Sequence, residues 1–203
     1  MWIPDLKKNT WEASHPEEHT RLVRGRNKAT KSTFARVIRL AKHANKRHGK
    51  TVCSFNITAL ALECLEEKVS IQDGLATLFR HAADGLKDGL TEDPAGVSGA
   101  IGVNTSRRKE AADRLEKLAR LAEEAVQLEV DGQGAQAQKA WSQLLPDAVD
   151  PPDDEDLKAE YAKGLGKSNG RVRQGVSGMV VSDRLGSAVS SGRSYGGERP
   201  ADR

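Results

Sequence analysis

The sequence predicts a mainly α-helical bundle that is followed by a disordered C-terminal tail. Apolar residues recur at helical spacing in several segments between residues 16 and 145. Only 4% of the residues are aromatic, so Ala and Leu must supply most of the core, which favours helices over sheets. Residues 164–203 are rich in Gly, Ser and Arg and show little periodicity, which is typical of disorder.

The first 26 residues predict an extended segment and then a helix. Residues 1–13 form the extended segment, with Trp2, Ile3, Pro4 and Trp11 as anchors. Ser14 and Glu17 make a capping signature with Pro16 in the first turn, which predicts a helix from Pro16 to about Arg26. Gly25 predicts a break near the end of this helix.

A second, strongly amphipathic helix is predicted from about Ser32 to Arg47, ended by Gly49. Its apolar face contains Phe34, Val37, Ile38, Ala41 and Asn45. Its opposite face contains Arg36, Arg39, His43 and Lys46. Lys42 falls on the border between the two faces.

Two further helices are predicted from their capping residues. Ser54 caps a helix from Phe55 to about Lys68, whose shared side contains Phe55, Ala59, Leu62 and Val69. Ser70 and Asp73 form the capping signature of the next helix. The apolar positions of that helix are Ile71, Leu75, Leu78, Phe79, Ala82 and Leu86.

The remaining elements complete a helical domain over residues 1–147. A loop at 89–104 precedes a long helix from about Ser106 to Glu129, and a short helix with Trp141 is stopped by Pro146. The acidic residues of segment 148–163 predict a solvated linker to the tail.

Charge is concentrated near the N-terminus. The whole chain has 32 basic and 29 acidic side chains, yet residues 20–62 contain eleven Lys and Arg and no Asp or Glu. A local field of one sign attracts polyanions, so a phosphate-bearing ligand is the expected partner. Nucleic acid bound by helix 32–47, a protein partner, and a plain solvated basic face are the alternatives.

Other features restrict the function and the location. No secretory signal and no apolar stretch long enough for a bilayer is visible, which predicts a cytoplasmic protein without membrane contact. Cys53 and Cys64 fit neither a disulfide framework nor a zinc site and are interpreted as small buried thiols.

The run from His15 to His19 matches H-x-x-E-H, but it is interpreted as an acid-rich helix start. The Gly-Lys-Ser at 166–168 lacks the strand and first glycine of a phosphate loop.

The most informative pair of residues is Lys42 and Ser54. An ammonium group, a hydroxyl and the free N–H groups of a helix N-terminus together make a suitable cradle for a triphosphate. The alternative interpretation is a lysine that lies along apolar surface and an ordinary helix cap.

The order of motifs over residues 1–147 resembles one enzyme family. The resemblance rests on Trp2-Ile3-Pro4-Asp5, Trp11, Pro16, His19, Asn27, Phe34 to Lys42, Ser54-Phe55, Asp93-Pro94, the helix at 111–128, and Ala140-Trp141 before Leu144-Leu145-Pro146. This succession is similar to the region after the catalytic sheet in bacterial CD-NTases, the antiphage cyclic-oligonucleotide synthases related to 2′-5′-oligoadenylate synthases.

The resemblance implies the C-terminal half of a polymerase-beta-like nucleotidyltransferase. Lys42 and Ser54 would contact the phosphates of the donor nucleotide, and Phe55 would lie near its base. Thr58 stands where the family commonly has an acid.

The family's chemistry requires Mg²⁺ on clustered carboxylates that precede this region, and no D-x-D or E-x-D lies before Lys42. We therefore expect no catalytic residue and no metal in this chain. A separate catalytic domain or chain is the implied partner, and the chain alone is expected to be inactive.

Overall fold

The computed structural model describes residues 1–5, 9–167, 173–174 and 180–181. These residues contain two strands, β1 (Trp2–Asp5) and β2 (Thr10–Ala13), which form an antiparallel hairpin. Seven helices follow: α1 (Pro16–Ala29), α2 (Thr33–Arg47), α3 (Ser54–Cys64), α4 (Ile71–Asp88), α5 (Arg108–Val130), α6 (Gly134–Leu144) and α7 (Asp154–Lys167). Two short strands, β3 (Arg173–Gln174) and β4 (Val180–Val181), pair in antiparallel fashion. The predicted mainly helical class is confirmed.

The chain divides into two compact units, Met1–Leu157 and Lys158–Arg203. The core of the first unit lies where α4 packs along α5, with α6 against α5 and α2 against α4. Small side chains are buried where α4 and α5 meet, including Ala82, Ala83, Ala119 and Ala122. These alanines let the two helices approach closely, so the predicted Ala- and Leu-based core is confirmed.

Ion pairs join the outer edges of α4 and α5. The Arg80 guanidinium donates to both carboxylate oxygens of Glu123 and to Glu116, each at 2.7 Å. Hydrogen bonds from Arg80 and then from Lys87 lower the pKa of Glu116 to about 2. The pairing of α4 and α5 is therefore stabilised by ion pairs at the surface and by close packing of small side chains in the core.

The predicted break in α1 at Gly25 is wrong, because the helix continues to Ala29. A glycine in a helix costs about 1 kcal/mol relative to alanine, which is not enough to end a helix that has other support. Here the support comes from the following turn. The Asn27 side-chain oxygen accepts from the Ala35 N–H at 3.1 Å, and the Thr30 hydroxyl accepts from the Phe34 N–H at 3.2 Å.

Three features of α3 differ from the prediction. Cys53 is the N-cap in place of Ser54, since its Sγ accepts from the Asn56 N–H at 3.3 Å. The helix ends at Cys64 and does not reach Lys68. Phe55 and Val69 are each 36% exposed. The buried side contains Ala59, as predicted, together with Asn56, Ile57, Leu60 and Ala61.

The N-terminal segment is extended as predicted, but its pairing as a hairpin was not predicted. Trp2 pairs with Ala13 and Pro4 pairs with Trp11, so both indoles lie on the same face of the ribbon. Trp2 is 68% exposed and Trp11 is 67% exposed.

The predictions near the C-terminus have two outcomes. The acidic linker is helical from Asp154, because acids in the first turn of α7 are stabilised by the helix dipole. The predicted tail at 164–203 overlaps α7 as far as Lys167. Apart from the β3 and β4 residues, the rest of the predicted tail lies outside the described residues, as does Ser168 of the Gly-Lys-Ser run.

Among the described residues, no helix is both long enough and apolar enough to cross a bilayer.

The close packing of α2 on α4 depends on Gly74. A Cβ at this position would lie 2.8 Å from Cγ2 of Val37, a fully buried and β-branched side chain. We expect Gly74→Ala to destabilise the fold by about 1 kcal/mol, because overpacking costs roughly 1–3 kcal/mol and the gain in helix propensity offsets part of it. Urea denaturation measures the change.

Gly85→Ala in the same helix is the matched control, since a Cβ there meets no atom within 4 Å. It should stabilise the protein by about 0.5–1 kcal/mol. Equal effects of the two substitutions would contradict the close approach at Gly74.

Candidate functional site

The connection between α2 and α3 is shaped by Asn45, a buried polar residue on the apolar face of α2. Its Nδ2 donates to the Val52 carbonyl at 2.8 Å, and its Oδ1 accepts from the Val52 N–H at 3.3 Å. Between them the chain turns at Gly49, whose φ of +94° favours glycine. The chain therefore returns at once to α2 and starts α3 beside it.

This return brings Cys53 into the surroundings of Lys42, where Cys53 is a minor cause that raises the pKa of the Lys42 amine. Lys42 is half-buried, as its border position predicted. Burial is the main cause that lowers the pKa of its amine from the ordinary value. Among the described residues, no carboxylate pairs with Lys42. Lys42 is therefore a partly desolvated cation without a carboxylate partner in the part of the chain that the structure describes.

Ser54 is the first residue of α3, and its side chain is exposed. The first turn of α3 contains no acidic residue. The Asn56 N–H is satisfied by Cys53 Sγ, whereas the Ser54 and Phe55 N–H groups bond no other described residue. The start of α3 therefore offers N–H groups, a hydroxyl and the positive end of a helix dipole to an anion.

Phe55 lies on the wall of a cleft of about 420 Å³. The described lining residues come from the hairpin, the segment after it, α1, the start of α3 and the loop after α4. They are Ile3, Ala13, Ser14, His19, Phe55, Ser98, Gly99, Ala100, Ile101 and Gly102. Lys42 and Ser54 are not among these residues. The structure thus places Phe55 in the cleft and its sequence neighbour Ser54 outside it.

His19 connects the walls of this cleft. Its Nε2 lies 2.6 Å from Oδ1 of Asp93, and its ring meets the Phe55 ring edge-on with centroids 4.9 Å apart. The sequence marked His19 as the end of the H-x-x-E-H match, and it marked both His19 and Asp93 as parts of the resemblance. Their contact, across 74 positions, was not predicted because no local pattern reports it.

The Asp93 carboxylate has no exposed surface and is held by the loop that follows it. It accepts from the main-chain N–H groups of Ala95 at 3.1 Å, Val97 at 3.2 Å and Ser98 at 2.9 Å. Burial alone would raise the pKa of Asp93, but the hydrogen bonds from Ser98, Ala95 and His19 outweigh it. They hold the pKa of this carboxyl well below its ordinary value.

The two histidines of the H-x-x-E-H match have separate roles. His15 is the N-cap of α1, and its Nδ1 accepts from the Glu18 N–H at 3.1 Å. His19 instead faces Asp93. Within the part of the chain that the structure describes, no three His, Cys, Asp or Glu side chains are grouped to hold a metal ion.

The opposite face of α2 is basic and exposed. Arg36, Arg39 and Lys46 point to solvent, and in the described ranges none of them has an acidic partner. Arg47 differs, because it donates to Asp147 at 2.7 Å. This face can attract phosphate.

No family model matches the sequence, and no curated protein matches it.

The Asp93 contacts predict how stability depends on pH. A carboxyl whose pKa is lower in the folded state stabilises the fold above its unfolded pKa and loses that contribution as the pH falls. We expect Asp93→Asn to destabilise the protein by about 1–3 kcal/mol at pH 7, because the amide cannot accept all of these hydrogen bonds. The difference from the native protein should shrink below about pH 4, where the Asp93 carboxyl of the unfolded chain begins to protonate while the carboxyl in the folded protein stays charged.

Urea denaturation at pH 7 and pH 3 measures both values. Glu92→Gln is the matched control, since Glu92 is exposed and adjacent in sequence. A deficit of Asp93→Asn that stays constant over this pH range would contradict the role given to the charge.

Proposed function

We propose that the unit Met1–Leu157 binds a nucleoside triphosphate, as the C-terminal helical part of a CD-NTase-like nucleotidyltransferase. The observation that carries this proposal is the Lys42 ammonium, half-buried and without an acidic partner among the described residues, beside the acid-free start of α3. An unpaired, partly desolvated cation next to free N–H groups is arranged for a phosphate oxygen.

The positions of the neighbouring groups support a nucleotide in preference to a simple anion. Ser54 adds a hydroxyl at the start of α3, and Phe55, one residue later, contributes an aromatic ring to the cleft. A ligand with a charged end and a planar end would use both features. A triphosphate at Lys42 with its base directed towards Phe55 meets that description.

The catalytic carboxylates would come from a separate domain or chain. The hairpin offers a surface for it, because Trp2 and Trp11 expose two indoles on one face of a two-stranded ribbon. Such a ribbon is only marginally stable by itself and has edges that can pair with another strand. By the same resemblance, the assembled enzyme would use Mg²⁺ and make an antiphage second messenger.

Lys42→Ala tests the phosphate contact. We expect the affinity for ATP to fall by about 10- to 100-fold, since a hydrogen bond to a charged group contributes roughly 1.5–3 kcal/mol. Titration calorimetry measures it. Lys46→Ala, which removes the same charge from the exposed face of α2, should change the affinity less than threefold or so.

Nucleotide binding that is equal in both variants, or absent from the native protein, would reject the proposal. Circular dichroism of each variant establishes that the fold is retained.

The exposed basic face of α2 favours a second candidate function, the binding of nucleic acid. In that case the combined variant Arg36→Ala, Arg39→Ala, Lys46→Ala should weaken duplex binding. It should also lower the salt slope by roughly 0.9 for each phosphate that the variant no longer neutralises. Lys42→Ala should leave duplex affinity nearly unchanged. Fluorescence anisotropy at several salt concentrations distinguishes this function from nucleotide binding.

A further inference from the structure

His19 occupies the point where three elements of the cleft meet. It belongs to α1, contacts Phe55 at the start of α3, and bonds Asp93 at the start of the loop after α4. Its side chain is 19% exposed, so one edge of the ring still reaches the cleft.

The loop wall depends on Asp93 for its shape. Three main-chain N–H groups within residues 95–98 converge on the Asp93 carboxylate, and Gly96 adopts a φ of +65° to allow this turn. Ser98 then continues directly into the lining of the cleft. A change in the position of the carboxylate would therefore move this wall.

We propose that His19 is a positioning residue for the cleft, holding the loop through Asp93 and the Phe55 ring through its own ring. The imidazole donates to Asp93 and packs on Phe55 at the same time, so it fixes one wall relative to the other. This role rests on the proposed function only where it concerns nucleotide affinity, because the two contacts exist without a ligand.

Two substitutions separate the two contacts. His19→Gln keeps an N–H donor for Asp93 but removes the aromatic ring, whereas His19→Phe keeps a ring but removes the donor. His81→Phe is the matched control. Its Nε2 lies 2.7 Å from a Glu63 carboxylate oxygen, and it is not among the described residues that line the cleft.

The bond between His19 and Asp93 is tested by amide hydrogen exchange. We expect exchange within residues 95–98 to become about tenfold faster in His19→Phe, because this variant cannot donate a hydrogen bond to the charged carboxylate. His19→Gln should restore most of the protection, and His81→Phe should not alter it. Equal exchange of this loop in His19→Phe and His81→Phe would overturn the proposal.

The ring contact is measured by ¹⁹F NMR of protein that contains fluorophenylalanine. The chain has three phenylalanines, and Phe34 and Phe79 are buried, so Phe55→Leu assigns the remaining signal. We expect the Phe55 signal to shift in His19→Gln and to stay in place in His81→Phe. An unshifted Phe55 signal in His19→Gln would remove the second half of the proposal.

Calorimetry with ATP connects the cleft to binding. Both His19 variants should bind ATP about tenfold more weakly than the native protein, with His81→Phe unchanged. Unchanged affinity in the His19 variants would reject a role in ligand binding. If the native protein binds no ATP, the proposed function fails, while the exchange and NMR measurements still decide whether His19 positions the walls.

Discussion

The candidate site depends on the two hydrogen bonds between the Asn45 side chain and the main chain of Val52. They satisfy a buried amide and fix the path of the chain from α2 to α3. The same segment also holds the loop after α4, since Val52 bridges Val103 and the Asn104 side chain donates to the Lys50 carbonyl at 2.8 Å. One buried side chain thus connects the surroundings of Lys42 to the loop that forms a wall of the cleft.

The helices that the sequence predicted well are those whose apolar spacing matches their packing. In α2 and α4 the periodic stripe is the face that meets the core, and Ser70 caps α4 as its capping signature indicates. The buried residues of α5, which include Leu115, Leu118 and Ala122, also recur at helical spacing. In these helices the local sequence pattern favours the same structure as the tertiary packing, so the pattern alone was sufficient to predict where the helices lie.

The sequence-based predictions were wrong or incomplete where tertiary contacts determine the local structure. The start of α3 depends on a thiol cap, and a cysteine is not a usual capping residue, so Ser54 was the natural choice. Phe55 was assigned to a packed side because it shares helical spacing with Ala59 and Leu62, but its ring lines a cleft. The His19–Asp93 contact joins residues far apart in sequence, so helical periodicity could not report it. The sequence therefore indicated Lys42, Ser54 and Phe55 as candidate site residues, but it did not indicate the contact between His19 and Asp93 beside Phe55.

The loop that follows Asp93 places an unusual restriction on which residues its sequence can contain. Three main-chain N–H groups reach the carboxylate from residues 95, 97 and 98, so the side chains of Ala95 and Val97 can vary while these bonds remain. Proline is the exception, because it carries no amide hydrogen and would leave part of a buried charge unsolvated. Substitutions at these two positions can accordingly change the chemistry of this rim while the path of the loop stays constant.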